Sequence, residues 1–302
     1  VNTIASVITN YYAIVRQKQQ LKALNDQIQL SAERVKLAQY KLDIGVGAKP
    51  DVLQSKVDLN AQKAAYLSQE TIMSQLREQL NQLINIEPES KYLVSDTILI
   101  NMNVSLGDIQ ESLENNNPDL LMAQKNIDIA RLVLKERKAD RFPTVSLNSG
   151  YTFNRTNNKA TVNPFQPLFS RNFGRNLGFT IAVPILNNFT TKRLIKQSAI
   201  DIQYQQLFFE NQKSILNLNV INAYKDYELQ KRALALEEEN IVLANENVAI
   251  VFEVYKLNST TLIQLKEAQK SLEDAQTRLI NARYNTKLAE TELLRLKGEI
   301  IK

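Results

Sequence analysis

Histidine, cysteine and tryptophan are absent from all 302 residues. The side chains left for chemistry are carboxylates, amines, guanidinium groups, hydroxyls and phenols. Without thiolates or imidazoles there is no disulfide, no soft metal site and no nucleophile–histidine pair. The 32 Asp and Glu residues fall on the polar faces of helical repeats, interleaved with 37 Lys and Arg. No Gly-rich phosphate loop or pocket-forming αβ pattern accompanies them, so they do not read as general acids and bases of an enzyme. No catalytic residue, cofactor or metal is expected. The net charge of +5 is scattered without a like-charge run, the pattern of a solvated helix surface and not of a nucleic-acid face.

The polar and small residues that do stand out end helices and restart them. A helical pattern breaks at Leu257-Asn258-Ser259-Thr260-Thr261 and resumes with Leu265, Ala268, Leu272, Ala275, Leu279, Ala282, Thr286, Ala289, Leu293 and Leu296. Alternating steps of three and four residues define a heptad seam, and its alanines let a partner helix approach closely. Thr260 or Thr261 suits the N-cap. An equivalent break, Ile44-Gly45-Val46-Gly47-Ala48, precedes Lys49-Pro50-Asp51. There Pro50 and Asp51 fit the first turn of a helix, where a missing N–H costs nothing and a carboxylate meets the positive helix end.

These breaks belong to an internal repeat. Val7–Tyr12 aligns with Val220–Lys225 at an offset of 213, and the register holds without a gap. It matches Gln17-Lys18 with Gln230-Lys231, Ile28 with Ile241, Val35 with Val248, Leu59 with Leu272, and Leu80 and Leu83 with Leu293 and Leu296. It also superposes the helix punctuation, Gly45 on Asn258 and Asn85 on Gly298. Gly and Asn are the residues that tolerate the left-handed conformation closing a helix. Each copy therefore reads as a helical hairpin. Descending arms carry a shared seam (Leu21, Leu24, Ile28, Ser31, Val35, Ala38 and Leu42 against Leu234, Glu237, Ile241, Ala244, Val248, Val251 and Tyr255). Helices of about 40 to 65 residues would run roughly 60 to 100 Å, the dimensions of a rod or part of a tube.

Between the hairpins the period changes from helical to alternating. Val145, Leu147, Tyr151 and Phe153 alternate with small or polar residues, as do Leu177, Phe179, Ile181 and Val183. Two strands of about ten residues, apolar on one face, match transmembrane barrel strands. The polar loop between them, about 20 residues, is long for a compact soluble domain. A soluble two-stranded ribbon is the alternative, but an isolated ribbon buries too little to be stable. No run of about 18 apolar residues is present, so no membrane-spanning helix is encoded. The expected organisation is residues 1–86 as a first hairpin, 87–117 irregular, and 118–141 a helix. Residues 142–187 form the strand pair with a loop at 155–175, and 188–302 the second hairpin. The fold class is mainly α, long antiparallel coiled-coil hairpins in two repeats plus one strand pair.

In that order and spacing the chain resembles the TolC family of outer-membrane efflux channels. The strand pair is entered through ADRFPTVSL and left through VPILNNFTTKR. The tips read Leu42-x-x-Gly45…Asp51 and Tyr255-x-x-Asn258…Gln264. The resemblance implies a homotrimer in the Gram-negative outer membrane, with three sets of strands closing one barrel and the helices forming a periplasmic tube. It implies as partners outer-membrane lipid, a periplasmic adaptor (membrane fusion protein) and an inner-membrane pump of a tripartite efflux or type I secretion system. By the same resemblance Tyr255 and Asp51 match a hydrogen-bonded latch at the tube mouth, with Thr260 where a partnering Arg would stand. Glu267 matches one acidic ring, which would favour cations, and Gln264 occupies the place of a second. Gly45, Val46, Gly47, Ala48, Asn258, Ser259 and Thr260 would dock the adaptor. A full protomer of the family carries two strand pairs; the counterpart of Pro118 would fall roughly 95 residues ahead of Val1, so Val1 is not expected to be the natural start. A periplasmic coiled-coil adaptor or scaffold is the competing reading, though adaptors carry one hairpin flanked by β-rich modules that this sequence lacks.

Overall fold

The computed structural model describes residues 2–90, 92–95, 97–160, 163–165 and 167–300. Residues 1, 91, 96, 161, 162, 166, 301 and 302 of the expected spans lie outside them. The chain divides into two units, Val1–Leu121 with Gln212–Lys302, and Met122–Asn211. Its elements are α1 (Asn2–Asp43), α2 (Lys49–Leu83), α3 (Leu106–Asn116), α4 (Pro118–Ala139), β1 (Thr144–Asn157), β2 (Phe169–Ala182), α5 (Thr190–Lys256) and α6 (Leu262–Lys297).

In the first unit the duplication is written into the backbone. α1 and α5 end at Asp43 and Lys256, and α2 and α6 begin at Lys49 and Leu262, the same offset of 213 as in the sequence. Gly45 and Asn258 both have positive φ, at 77° and 59°, and so do Asn85 and Gly298, at 56° and 81°. Each pair closes its helix with the same two bonds. Gly45 N–H donates to Leu42 and Val46 N–H to Lys41; Asn258 N–H donates to Tyr255 and Ser259 N–H to Val254. Asn85 and Ile86 repeat this on Gln82 and Asn81, and Gly298 and Glu299 on Arg295 and Leu294. These are Schellman closures, which satisfy carbonyls otherwise left open at a helix end. The restart of α6 uses a capping box: Thr261 Oγ1 accepts from Gln264 N–H, and Gln264 Oε1 accepts from Thr261 N–H. That fixes Thr261 as the N-cap.

The α6 seam is buried from Leu265 to Leu296, and it faces two neighbours. Leu279 and Ala282 pack on Leu234 of α5, and Ala268 and Leu272 on Val248 of α5 with Leu30 of α1 alongside. The backbone of α6 comes closest to α1, in the other repeat, and α1 in turn packs along α2. The small residues of the seam thus serve the contact between hairpins as well as the one within a hairpin.

The span 87–117, expected to be irregular, holds α3. Ile109 and Leu113 are its buried anchors and Asp108 lies in its first turn; three turns beside a run of Asn residues gave too short a period to read. Residues 92–95 and 97–104 remain irregular and are strapped across the helices. Ser95 N–H donates to Tyr11 Oη, Asn101 N–H to Glu290 Oε2, and Tyr227 Oη to the Asn101 carbonyl. Val94 and Ile98 insert into the core with Ile14, Val15 and Leu80.

In the second unit β1 and β2 form one antiparallel pair with Val145 opposite Ile181, Leu147 opposite Phe179 and Phe153 opposite Phe173. The strands have 14 residues each, longer than expected, and the connection shrinks from 155–175 to 158–168. The alternation continues through Arg155, Phe173, Arg171 and Phe169. Charged and aromatic residues on the odd face carried the strands into what reads as loop.

Candidate functional site

Two places concentrate the residues expected to act: the paired hairpin tips of the first unit and one face of the strand pair in the second.

At the tips, the turns after α1 and α5 meet around an open cavity of about 500 Å³ lined by Val46, Gly47, Asp51, Tyr255, Asn258 and Thr260 among others. Val46 is 58% exposed, and Gly45, Ala48, Asn258 and Ser259 are exposed with it, whereas Gly47 and Thr260 are half-buried. A Cβ on Gly47 would lie 2.8 Å from the backbone of Lys41 and Leu42, so this glycine is required by the turn itself.

Tyr255 and Asp51 share the cavity, but no hydrogen bond joins them. Instead Lys41 reaches over from α1: its Nζ donates to the Tyr255 carbonyl at 2.5 Å and lies 3.6 Å from the ring centroid. Burial pushes the Tyr255 phenol above its ordinary value, and the negative charge of Asp51 adds to that. Burial lowers the Lys41 ammonium, opposed by the same Asp51. Asp51, Lys41 and Tyr255 are therefore one electrostatic group, with Asp51 acting on both the ammonium and the phenol.

One to two turns further into the helices lies a second polar cluster. Arg34 is 2% exposed. It donates to Gln269 Oε1 at 2.7 Å and Asp58 Oδ2 at 3.0 Å. Asp58 also accepts from Lys266 Nζ at 3.0 Å and Gln54 at 2.9 Å. Burial would raise the Asp58 carboxyl, yet the Lys266 and Gln54 hydrogen bonds and the Arg34 charge hold it below the usual carboxylate range. Arg34 itself is lowered by burial, against the pull of Asp58. The cluster ties α1, α2 and α6 together.

Sequence reasoning passed over Arg34, Lys41 and Asp58. A signal for the first two existed: Gln27, Ser31, Arg34, Ala38 and Lys41 follow one another at steps of four and three and form the buried stripe of α1. The apolar seam through Val35 and Leu42 lies beside this stripe and is only half-buried. Of the other expected site residues, Gln264 is exposed and its side chain is engaged in the α6 cap, where Thr260 Oγ1 also bonds it. Glu267 is exposed on the next turn.

On the strand pair, the register puts Val145, Leu147, Tyr151, Phe153, Leu177, Phe179 and Ile181 on one face, with Phe173 and Phe169 in addition, while Val183, expected on the same face, lies one residue past the end of β2. Every one is uncovered: Leu177 is 77% exposed and Phe179 66%. The opposite face carries Ser146, Asn148, Thr152, Asn172, Asn176 and Thr180 with glycines between. Among the described residues no helix is long and apolar enough to cross a membrane, and no group of potential ligands could hold a metal ion.

A duplicated helical hairpin carrying a two-stranded ribbon with one uncovered apolar face is the architecture of bacterial outer-membrane channel proteins. Known folds agree. The outer-membrane channel OprN superposes with a TM-score of 0.72 at 17% identity, covering 98% of this chain and 66% of that one. VceC of Vibrio cholerae gives 0.72 at 15%, covering 97% and 69%. In sequence, the outer membrane protein TolC of Vibrio cholerae is 21% identical over 98% of this chain and 68% of its own length. The outer membrane efflux protein BepC of Brucella suis is 19% identical over 99% and 64%. Residues 109–299 match the model of the outer membrane efflux protein family. The chain belongs to that family, whose members are channels and not enzymes, and the adaptor reading is set aside.

Proposed function

We propose that this chain lines the conduit of a trimeric outer-membrane channel, which takes its cargo from an inner-membrane pump through a periplasmic adaptor. The observation that supports it is the in-register apolar face of β1 and β2. A free ribbon with such a face is unstable in water, whereas in lipid a closed barrel satisfies every backbone group. Three copies, each with its full complement of strands, would close that barrel, and the hairpins would form the periplasmic tube. The test is planar-bilayer recording of the full-length protein. Discrete conductance steps from a detergent-extracted trimer are expected; a water-soluble monomer without conductance overturns the reading.

The hairpin tips are the gate in this reading. Asp51, Lys41 and Tyr255 hold the two turns of one protomer against each other, and Glu267 supplies a ring of carboxylates near the mouth. In the same recordings Lys41→Met with Asp51→Asn should raise the open fraction; an unchanged closed state removes the tip group from gating. The exposed turn residues are the docking surface for the adaptor. Because Gly47 is needed by the turn, the probe is Val46→Glu: loss of efflux with normal trimer assembly is expected, and full efflux argues against docking there.

A further inference from the structure

From Arg141 to Ile200 the chain contains no Asp or Glu, yet it carries Arg155, Arg171 and Arg175 within the strands. The register places all three on the apolar face, Arg155 and Arg171 near the 158–168 connection and Arg175 two rows of that face further in. Arg155 and Arg171 are directly opposite each other, and Arg175 is opposite Tyr151. Like charges directly opposite one another destabilise a strand pair. Here each guanidinium lies on an aromatic ring of the other strand: Arg155 5.4 Å from the Phe169 centroid, Arg171 5.0 Å from Phe153, and Arg175 6.0 Å from Tyr151. The rings hold the guanidinium groups in place but supply no negative charge. None of the three makes an ion pair or a hydrogen bond with the chain among the described residues.

Below Arg175 the face carries no charge: Val145, Leu147 and Ser149 are opposite Ile181, Phe179 and Leu177, about 14 Å along the strand. The arginines therefore begin where this uncharged stretch ends, interleaved with Tyr151, Phe153, Phe173 and Phe169, the residue types of the aromatic girdle that meets headgroups. Guanidinium groups bind phosphate through paired, charge-assisted hydrogen bonds. We propose that Arg155, Arg171 and Arg175 form a binding site for the phosphate of an anionic membrane lipid, on the loop side of the bilayer. The site rests on the membrane placement of the strands. The lipid phosphate neutralises the opposed Arg pair, so lipid and strand pair stabilise each other.

The test is reconstitution of the full-length protein into vesicles of phosphatidylcholine with either bis-phosphorylated lipid A or its dephosphorylated form, followed by mass spectrometry of the lipid retained on the purified channel. Wild type should retain the phosphorylated form about tenfold more, one charge-assisted hydrogen bond's worth of preference. R155Q/R171Q/R175Q should lose that preference, and the Lys triple variant should keep part of it. Equal preference in the Gln variant overturns the site. So does equal stabilisation of the channel by millimolar inorganic phosphate, which would identify a soluble anion as the ligand. Protease protection of 144–182 in the same vesicles separates the two levels: protected strands without lipid preference sink this site alone, and unprotected strands sink the membrane placement as well.

Discussion

Arg34 shows how a single buried charge is made tolerable. It lies in the stripe of α1 that meets α6, and its partners Asp58 and Gln269 come from two different helices. Removing one partner of a buried pair leaves the other charge uncompensated, at a cost of about 3 kcal/mol. Asp58→Ala should lower the unfolding free energy by that amount, read from denaturant melts of the full-length protein. Arg34→Met combined with Asp58→Ala should recover part of the loss, because no unpaired charge then remains. The pH dependence has a fixed sign. Asp58 titrates below its unfolded value, so its contribution is complete above about pH 4 and disappears as the pH falls through the lower, folded pKa. Asp58→Asn should flatten that acid limb; an unchanged limb removes Asp58 as its source. The stripe of α1 marks Arg34 as a buried position, but its pairing with Asp58 was not legible, since the two are 24 residues apart on separate arms and nothing local marks them as a pair.

Helix ends were the most legible elements, because their chemistry is local. Gly45, Asn85, Asn258 and Gly298 declare left-handed closures by residue type alone, and all four have positive φ. The α6 N-cap was legible only as Thr260 or Thr261; the structure settles on Thr261, with Gln264 three residues on completing a capping box. α3 escaped because its signal spans only three turns, and the strand ends escaped because Arg155, Arg171 and Arg175 among Asn and Thr residues read as a polar loop. The same closures differ in surroundings, which sequence could not show. A Cβ at Gly45 meets nothing within 4 Å, but at Gly298 it would lie 2.2 Å from the Asn116 carbonyl oxygen at the end of α3. Gly45→Ala should therefore cost about 1 kcal/mol, the left-handed penalty alone. Gly298→Ala should cost about 3 kcal/mol, since overpacking adds to that penalty. Equal melting shifts for the two variants would show that α3 yields freely at this contact.

For the whole molecule, the duplication explains why one sequence pattern yields two hairpins, and the strand pair decides what the hairpins are attached to. One face of the ribbon is dominated by large apolar and aromatic residues and the other by small and polar ones, and the register fixes which residue lies on which face. Phe179 lies on the apolar face near the middle of its band, and Thr180 is its neighbour on the polar face. A charge on a lipid-facing midplane position of a barrel costs roughly 2 to 4 kcal/mol, whereas the lumen is polar and accepts one. Phe179→Arg should therefore reduce the folded channel recovered from outer membranes several-fold, and Thr180→Arg should leave recovery near wild type while altering ion selectivity in bilayer recordings. The pair shares backbone, helix context and added charge, so expression effects common to both cancel. Equal recovery of the two variants would mean that the odd face does not meet lipid, and the reverse order would mean that the ribbon is turned with its aromatic side to the lumen.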